Sequence, residues 1–380
     1  MEPRSQGAQA VGPPAMRTAV DLVSGVLDDV LDEVIPQAAA HGSLYIRLWE
    51  ELRRAVRGGK RFRGRLVVEL HDALGGRQRV AAAEVGAAFE LLHAGFLVHD
   101  DLIDRDTMRR GEPNLAARMA GGAREAGASE PEAQRLAEAA AVLAGDLAIS
   151  LAHRLVSTAD LPADMHSAVQ HVLWETVFVS VAGELGDVAA ALRLEELSLG
   201  DALRIAAEKT ARYSFQAPLR AGAVLAGAAA PLQAEIEAVG LALGKAFQLV
   251  DDLLGVFAPE SVTGKSALSD LREGKATTLV LHARTLPVWS VVGEHVGRAD
   301  LDERTFLLLR GELARSTAHS AVATQARDEL VRARRLLAGS DALAPAADVV
   351  SAVIAMVGRS LTDAEHYVTA AAKQDAPQPE

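Results

Sequence analysis

Residues 90–104, Glu90-Leu91-Leu92-His93-Ala94-Gly95-Phe96-Leu97-Val98-His99-Asp100-Asp101-Leu102-Ile103-Asp104, decide the fold. Apolar residues recur at helical spacing, and the run closes on three carboxylates, with Asp100 and Asp104 one turn apart on the same face. Like charges at that spacing cost a helix roughly 0.2–0.5 kcal/mol in solvent and more among apolar neighbours. A divalent cation would remove the penalty. Far downstream, Gly244-Lys245-Ala246-Phe247-Gln248-Leu249-Val250-Asp251-Asp252-Leu253-Leu254 repeats the design. Two such helices are expected to present carboxylates to one cation cluster. Paired hard oxygens favour magnesium, which binds through one or two carboxylates together with substrate phosphates.

Around these stretches, 49% of the 380 residues are hydrophobic but only 4% are aromatic, so the core is expected to be built from Ala, Leu and Val. No run with strand period stands out, which points to close-packed helices and an all-α, single-domain bundle of antiparallel helices around a central cavity. A net charge of −12 argues against a nucleic-acid binder, and the absence of cysteine excludes disulfides and thiolate metal sites. The longest uncharged run, Ala221–Ala234, has 14 residues, short of the roughly 20 that span a bilayer. No transmembrane segment and no secretory signal are therefore expected, and a cytoplasmic protein is the natural reading. Residues 1–16 read as a flexible leader, 17–370 as the helical domain and 371–380 as a polar tail. Helices are expected at 79–106, 132–156, 165–191, 199–226, 232–257 and 302–337, among others, with Ala120–Pro131 as the longest irregular connection.

Several basic clusters flank the acids. Gly58-Gly59-Lys60-Arg61-Phe62-Arg63 places Lys60 and Arg63 where both side chains can reach one anion. Arg109-Arg110-Gly111 follows the first aspartates and fits a clamp on a phosphate whose other oxygens hold metal. Glu90-x-x-His93 matches half of a di-iron signature, but no other histidine has Glu three residues before it, so that reading fails. Gly264-Lys265-Ser266 lacks the earlier glycine and strand of a P-loop.

Taken together, Gly59-Lys60-x-x-Arg63, Asp100-Asp101-x-x-Asp104 with Arg109-Arg110-Gly111, Lys209-Thr210, Phe247-Gln248-x-x-Asp251-Asp252, and Gly264-Lys265 through Asp270 to Lys275 resemble, in order, the motifs of trans-type isoprenyl diphosphate synthases of the polyprenyl synthetase family. The resemblance runs over roughly residues 20–370. It implies that Asp100, Asp104 and Asp251 ligate Mg2+ on an allylic diphosphate, which Arg109, Lys209 and Lys265 also hold. It further implies that Lys60, Arg63, His93 and Arg110 bind isopentenyl diphosphate, with Lys275 near the metal-bound phosphates. Thr210 and Gln248 match polar groups that stabilise a carbocation, and Asp101, Asp187, Asp252 and Asp270 match acids behind the metal site. A homodimer is usual for the family.

Three departures stand out: Gly255 replaces the third aspartate of the second motif, Glu184 stands where the family commonly has Gln, and Ala120–Pro131 is longer than a minimal connection. In this family the side chains four and five residues before the first aspartate tend to face the growing tail. Here these are Phe96 and Gly95, with Leu92 about a turn deeper. One aromatic rather than two favours a twenty-carbon product, geranylgeranyl diphosphate, over farnesyl or longer diphosphates. A terpene cyclase and a non-catalytic synthase subunit are the competing readings. Lys60, Arg63 and the Asp251-Asp252 pair count against the first, and the near-complete acid sets count against the second.

Overall fold

The structure, a computed structural model, describes residues 17–374 apart from 193, 195, 196 and 264–266, and apart from the side chains of Ser269 and Asp270. In chain order the helices are α1 (Ala19–Ala38), α2 (Ser43–Val56), α3 (Phe62–Ala73), α4 (Arg79–Ile103), α5 (Leu115–Glu125), α6 (Glu130–Thr158), α7 (Ala163–Ala191) and α8 (Leu199–Ala206). A ten-residue π-helix, Ala207–Gln216, leads into α9 (Ala217–Leu225) and α10 (Ala230–Phe257). Short helices α11 (Glu260–Thr263), α12 (Leu268–Glu273), α13 (Thr278–Arg284) and α14 (Trp289–Val292) precede α15 (Glu303–Arg315), α16 (Ala318–Ala338) and α17 (Ala347–Gln374). Among the described residues the one sheet is a hairpin of two-residue strands, β1 (Met108–Arg109) and β2 (Glu112–Pro113).

Local chemistry sets the ends of these helices. Ser129 and Glu132 form a reciprocal capping box that starts α6, and Pro231 occupies the first turn of α10, where its missing N–H costs nothing. α4 stops where Arg105 turns left-handed (φ 59°), and the Asp106 N–H bonds back to the Asp101 carbonyl. The hairpin turn is Arg110-Gly111, both at positive φ (56° and 75°), the conformation a two-residue hairpin requires.

Two apolar cores share α3 and α9. Val67, Val68, Ala217 and Ala221 join the core of α1, α2, α4, α6 and α7, while Leu66, Leu70, Leu219 and Ala223 join that of α10 and α13–α17. Small residues set the spacing of the tightest pairs. Gly95 on α4 lies against Gly145 and Ala148 on α6, and a Cβ on Gly95 would come within 3.1 Å of the Gly145 carbonyl.

Several boundaries differ from the sequence reading. The supposed loop at 120–131 is mostly helix, the end of α5 and the start of α6, leaving a turn at 126–129. The single helix expected over 302–337 breaks at Ser316, whose hydroxyl accepts the Ala318 N–H, and the segment expected over 199–226 is two α-helices joined by the π-helix. The polar tail begins later than expected, since α17 runs to Gln374. Residues 1–16 lie outside the described residues.

Three helical segments, Arg79–Ile103, Glu130–Thr158 and Asp341–Gln374, are long and apolar enough by length and composition to cross a membrane. The sequence reading missed them by counting uninterrupted uncharged runs. In α4 such a segment arises from packing, because 72% of its apolar window is buried against the rest of the protein.

Candidate active site

A cavity of about 1180 Å³ opens between α4, α6, α7, the π-helix and α10. The acids of α4 stand at its mouth. Asp100, one turn before Asp104, receives the Lys209 ammonium at 3.2 Å, and the same ammonium lies 2.7 Å from Asp187 and 3.1 Å from Glu184 on α7. Lys275, from the segment after α12, sits 2.7 Å from Asp104 and 2.9 Å from Glu273. Arg109, delivered by the hairpin, donates to Asp101 and, at 3.3 Å, to Asp100. Acids from three helices and cations from three segments thus meet at one rim.

The π-helix reaches the rim because its neighbours lack side chains at the crossings. A Cβ on Gly183 of α7 would lie 2.3 Å from the Lys209 nitrogen, and one on Gly244 of α10 would lie 2.4 Å from the Ala211 Cβ. Behind it, Glu175 of α7 binds Arg212 at 2.5 Å and Arg220 at 2.9 Å, and Arg220 also meets Glu237 of α10 at 2.8 Å. Half-buried, the Glu175–Arg212 pair ties the π-helix to α7. Ten residues of this wider winding turn Lys209, Thr210 and Tyr213 toward the cavity.

The charges shift as crowding dictates. Burial would lower the Lys209 pKa, but Asp187, Asp100 and Glu184 outweigh it and hold the ammonium well above its ordinary range. Burial pushes Glu184 up, because one lysine shared with Asp100 and Asp187 cannot compensate three acids. Arg109 is likewise held above its usual value by Asp101, Asp100 and Asp106 against the cost of burial. His93 lies well below the imidazole range, first through burial and then through Arg63, Arg110 and Arg109. Arg63, His93 and Arg109 line the same cavity as Asp100.

Most sequence-predicted residues converge. Asp100, Arg63, His93, Phe96, Arg109, Asp187, Lys209, Thr210, Gln248, Asp251, Asp252 and Lys275 all line the cavity. Arg110 is exposed above Gly58 and Gly59, within 4 Å of where their Cβ atoms would be, and Lys60 is exposed on the same loop. Asp101 and Asp252 have structural partners: Asp101 takes Arg109, while Asp252 accepts from Gln248 at 3.1 Å and from the Thr278 N–H at 3.0 Å, fixing the start of α13. Glu90 accepts the Arg63 and Gly64 N–H groups, both at 2.9 Å, and so anchors the start of α3 beneath Arg63.

Two of the positions expected to face the tail are not among the cavity's lining residues. Leu92 is fully buried in the core and lines no part of the cavity, and Gly95 faces α6, because α4 turns these positions toward its tightest helix contact. Lys265 and the side chain of Asp270 lie outside the described residues. Sequence reasoning gave no role to Tyr213, whose ring lines the cavity, although its place one turn after Lys209 was the available signal.

The donor set suits a magnesium that arrives with its anion. Among the described residues no three of His, Cys, Asp and Glu converge to hold an ion unaided. The acids are instead spread around the rim in ones and twos, which leaves room for phosphate oxygens and water to complete an octahedron. Asp100, Asp104 and Asp251 are hard ligands of the required kind.

The polyprenyl synthetase family model matches residues 47–292. The chain belongs to the polyprenyl synthetase family. It is 33% identical to (2E,6E)-farnesyl diphosphate synthase of Mycobacterium tuberculosis over 289 residues, covering 75% of this chain and 72% of that relative. Geranylgeranyl diphosphate synthase of Methanosarcina mazei is 30% identical over 276 residues, 70% of this chain and 76% of the relative. A crystal structure of geranylgeranyl pyrophosphate synthase from Corynebacterium glutamicum, complexed with isoprenyl diphosphate and magnesium, shares the fold with a TM-score of 0.80 over 94% of this chain and 98% of that one, at 23% identity. This family member is thus an isoprenyl diphosphate synthase, a prenyltransferase of the trans, short-chain kind.

Proposed function

We propose that the chain condenses isopentenyl diphosphate head to tail with an allylic diphosphate to give geranylgeranyl diphosphate, with Mg2+ held by Asp100, Asp104 and Asp251. The observation that carries this reading is the shared rim, where Lys209 bridges the acids of α4 and α7 beside Arg109 and Lys275. Magnesium supplies Lewis-acid stabilisation of the leaving diphosphate.

The remaining work falls to side chains. Lys209, Arg109 and Lys275 take up the charge that grows on the diphosphate as the allylic carbon–oxygen bond breaks. Arg63 and His93, with Lys60 and Arg110 on the exposed segments beside them, hold the second diphosphate so that its alkene lies against the allylic carbon. Thr210 and Gln248 flank the cation with oxygen dipoles. The alkene donates its electron pair to form the new carbon–carbon bond, and the released diphosphate accepts the proton. Lys265 and Asp270 are assigned by their motif to the phosphates and to the metal side of this site.

Support for the twenty-carbon length comes from Phe96, the one phenyl ring among the α4 residues that line the cavity. Support for a homodimer comes from α7, where Trp174, Phe178, Val181 and Leu185 form a stripe at helical spacing, each 52–69% exposed. Val142 and Leu143 of α6 extend it. A continuous apolar face of this kind marks an interface, and since Val142, Val181 and Leu185 also line the cavity, a second copy would wall its side. A cytoplasmic location is part of the same reading.

The test is incubation with isopentenyl diphosphate, magnesium and, in turn, dimethylallyl, geranyl and farnesyl diphosphates, followed by sizing of the dephosphorylated alcohols. A twenty-carbon alcohol that disappears with EDTA is the expected result. Diphosphate release without elongation would replace this reading with a cyclase.

A further inference from the structure

The rim fixes a depth scale for the cavity. Asp100 and Lys209 touch across it, and one turn inward from each, on α4 and on the π-helix, come Phe96 and Tyr213. Their rings meet edge to face, with centroids 5.2 Å apart and planes at 83°. Both line the cavity, and Tyr213 is only 8% exposed.

Tyr213 is held on its other sides as well. The His93 ring stacks on it at 5.8 Å with its Nδ1 3.5 Å from the phenol oxygen, and the Arg63 guanidinium lies 4.8 Å from the ring centre. Arg63 is itself tied to the neighbouring Ser214 hydroxyl at 2.7 Å. A ring packed on three sides cannot swing away from an advancing chain without breaking those contacts. Of the α4 positions marked for the tail, Phe96 lines the cavity, beside Leu97 and His93 of the same helix, while Gly95 and Leu92 are not among the lining residues.

We infer that Tyr213 is a specificity-determining residue, which together with Phe96 forms a two-ring stop, contributed by two different helices, that sets product length. The inference rests on the elongation reaction proposed above. Each isoprene unit added is comparable in length to a helical turn of about 5.4 Å, so a barrier one turn below the reacting carbon acts on the tail within a few condensations. The ring supplies the barrier, and the hydroxyl, turned toward His93, does not.

The experiment sizes the products of wild type and of Tyr213→Phe, Tyr213→Leu, Tyr213→Ala, Phe96→Ala and the Phe96→Ala/Tyr213→Ala double variant, with melting curves to establish folding. Tyr213→Phe is expected to keep the wild-type length. Tyr213→Leu and Tyr213→Ala are expected to lengthen the main product by at least one isoprene unit, and the double variant is expected to lengthen it less than the two single shifts combined, because either gap opens the same stop. Unchanged or shorter products from folded Tyr213→Leu, while Phe96→Ala lengthens them, would overturn the inference, as would longer products from Tyr213→Phe. Leucine retains much of the packed volume, so the test survives if the alanine variant fails to fold. A wild-type protein that elongates no primer would instead overturn the reaction itself.

Discussion

Single residues carry the charge logic of this site. Asp100 meets Lys209 and Arg109 and is assigned to the metal, so Asp100→Asn is expected to lower kcat by about 10²–10³-fold or more. Circular dichroism and the melting temperature should stay near wild type, which separates chemistry from folding. His93 offers a pH test with a definite sign. Its folded pKa is depressed by burial and by Arg63, Arg110 and Arg109, so protonation favours the unfolded chain. Stability from this group is present above about pH 6.5, the unfolded value, and is lost as pH falls toward the folded value. Comparing melting temperatures of wild type and His93→Gln at pH 8 and pH 5 should show the wild type losing more stability on acidification. The acids and bases were legible in the sequence because clustered charges in apolar helices need partners. Tyr213 was not, because one aromatic on an apolar face looks the same in a core as in a cavity wall.

Elements decide whether those residues meet. The π-helix stands where it does because Gly183 and Gly244 give it room and Glu175 grips it through Arg212. Gly183→Ala would put a methyl group 2.3 Å from the Lys209 nitrogen. Such overpacking costs roughly 1–3 kcal/mol, and displacing Lys209 should cut kcat at least tenfold. Thermal melting and steady-state kinetics measure the two effects separately, and a fully active, fully stable variant would contradict the close approach. Helices α4 and α10 could be placed from hydrophobic period, and α7 from its long apolar composition. Hidden from the sequence were the change of winding inside residues 199–226, which leaves no mark on composition, and the two-residue hairpin that aims Arg109. Helix α5 was masked by the glycines at 121 and 122.

At the scale of the whole molecule, the all-helical architecture followed from the scarcity of aromatics and the want of strand-period runs, together with helical patterning along most of the chain's length. The exposed stripe of α7 adds a prediction about assembly. Phe178, 64% exposed and stacked on Trp174 at 5.2 Å, lies near its middle. In the proposed homodimer, Phe178→Glu would bury a charge in the apolar interface, and sedimentation should show the mass of the assembly halved. Activity should fall with it, since the stripe shares residues with the cavity wall. A variant that keeps the wild-type mass would place the interface elsewhere.

The lysines at the rim turn substrate entry into ion exchange. Without substrate, the ammonium of Lys209 neutralises acids on two helices and that of Lys275 neutralises Asp104 and Glu273. A bare diphosphate that drew these lysines to itself would leave part-buried carboxylates uncompensated, at a cost of about 3–5 kcal/mol for each broken pair. The same anion entering as its magnesium salt brings replacement cations for the acids that it deprives. On the proposed function, the cavity would favour the salt over the bare ion, a selectivity by charge parity.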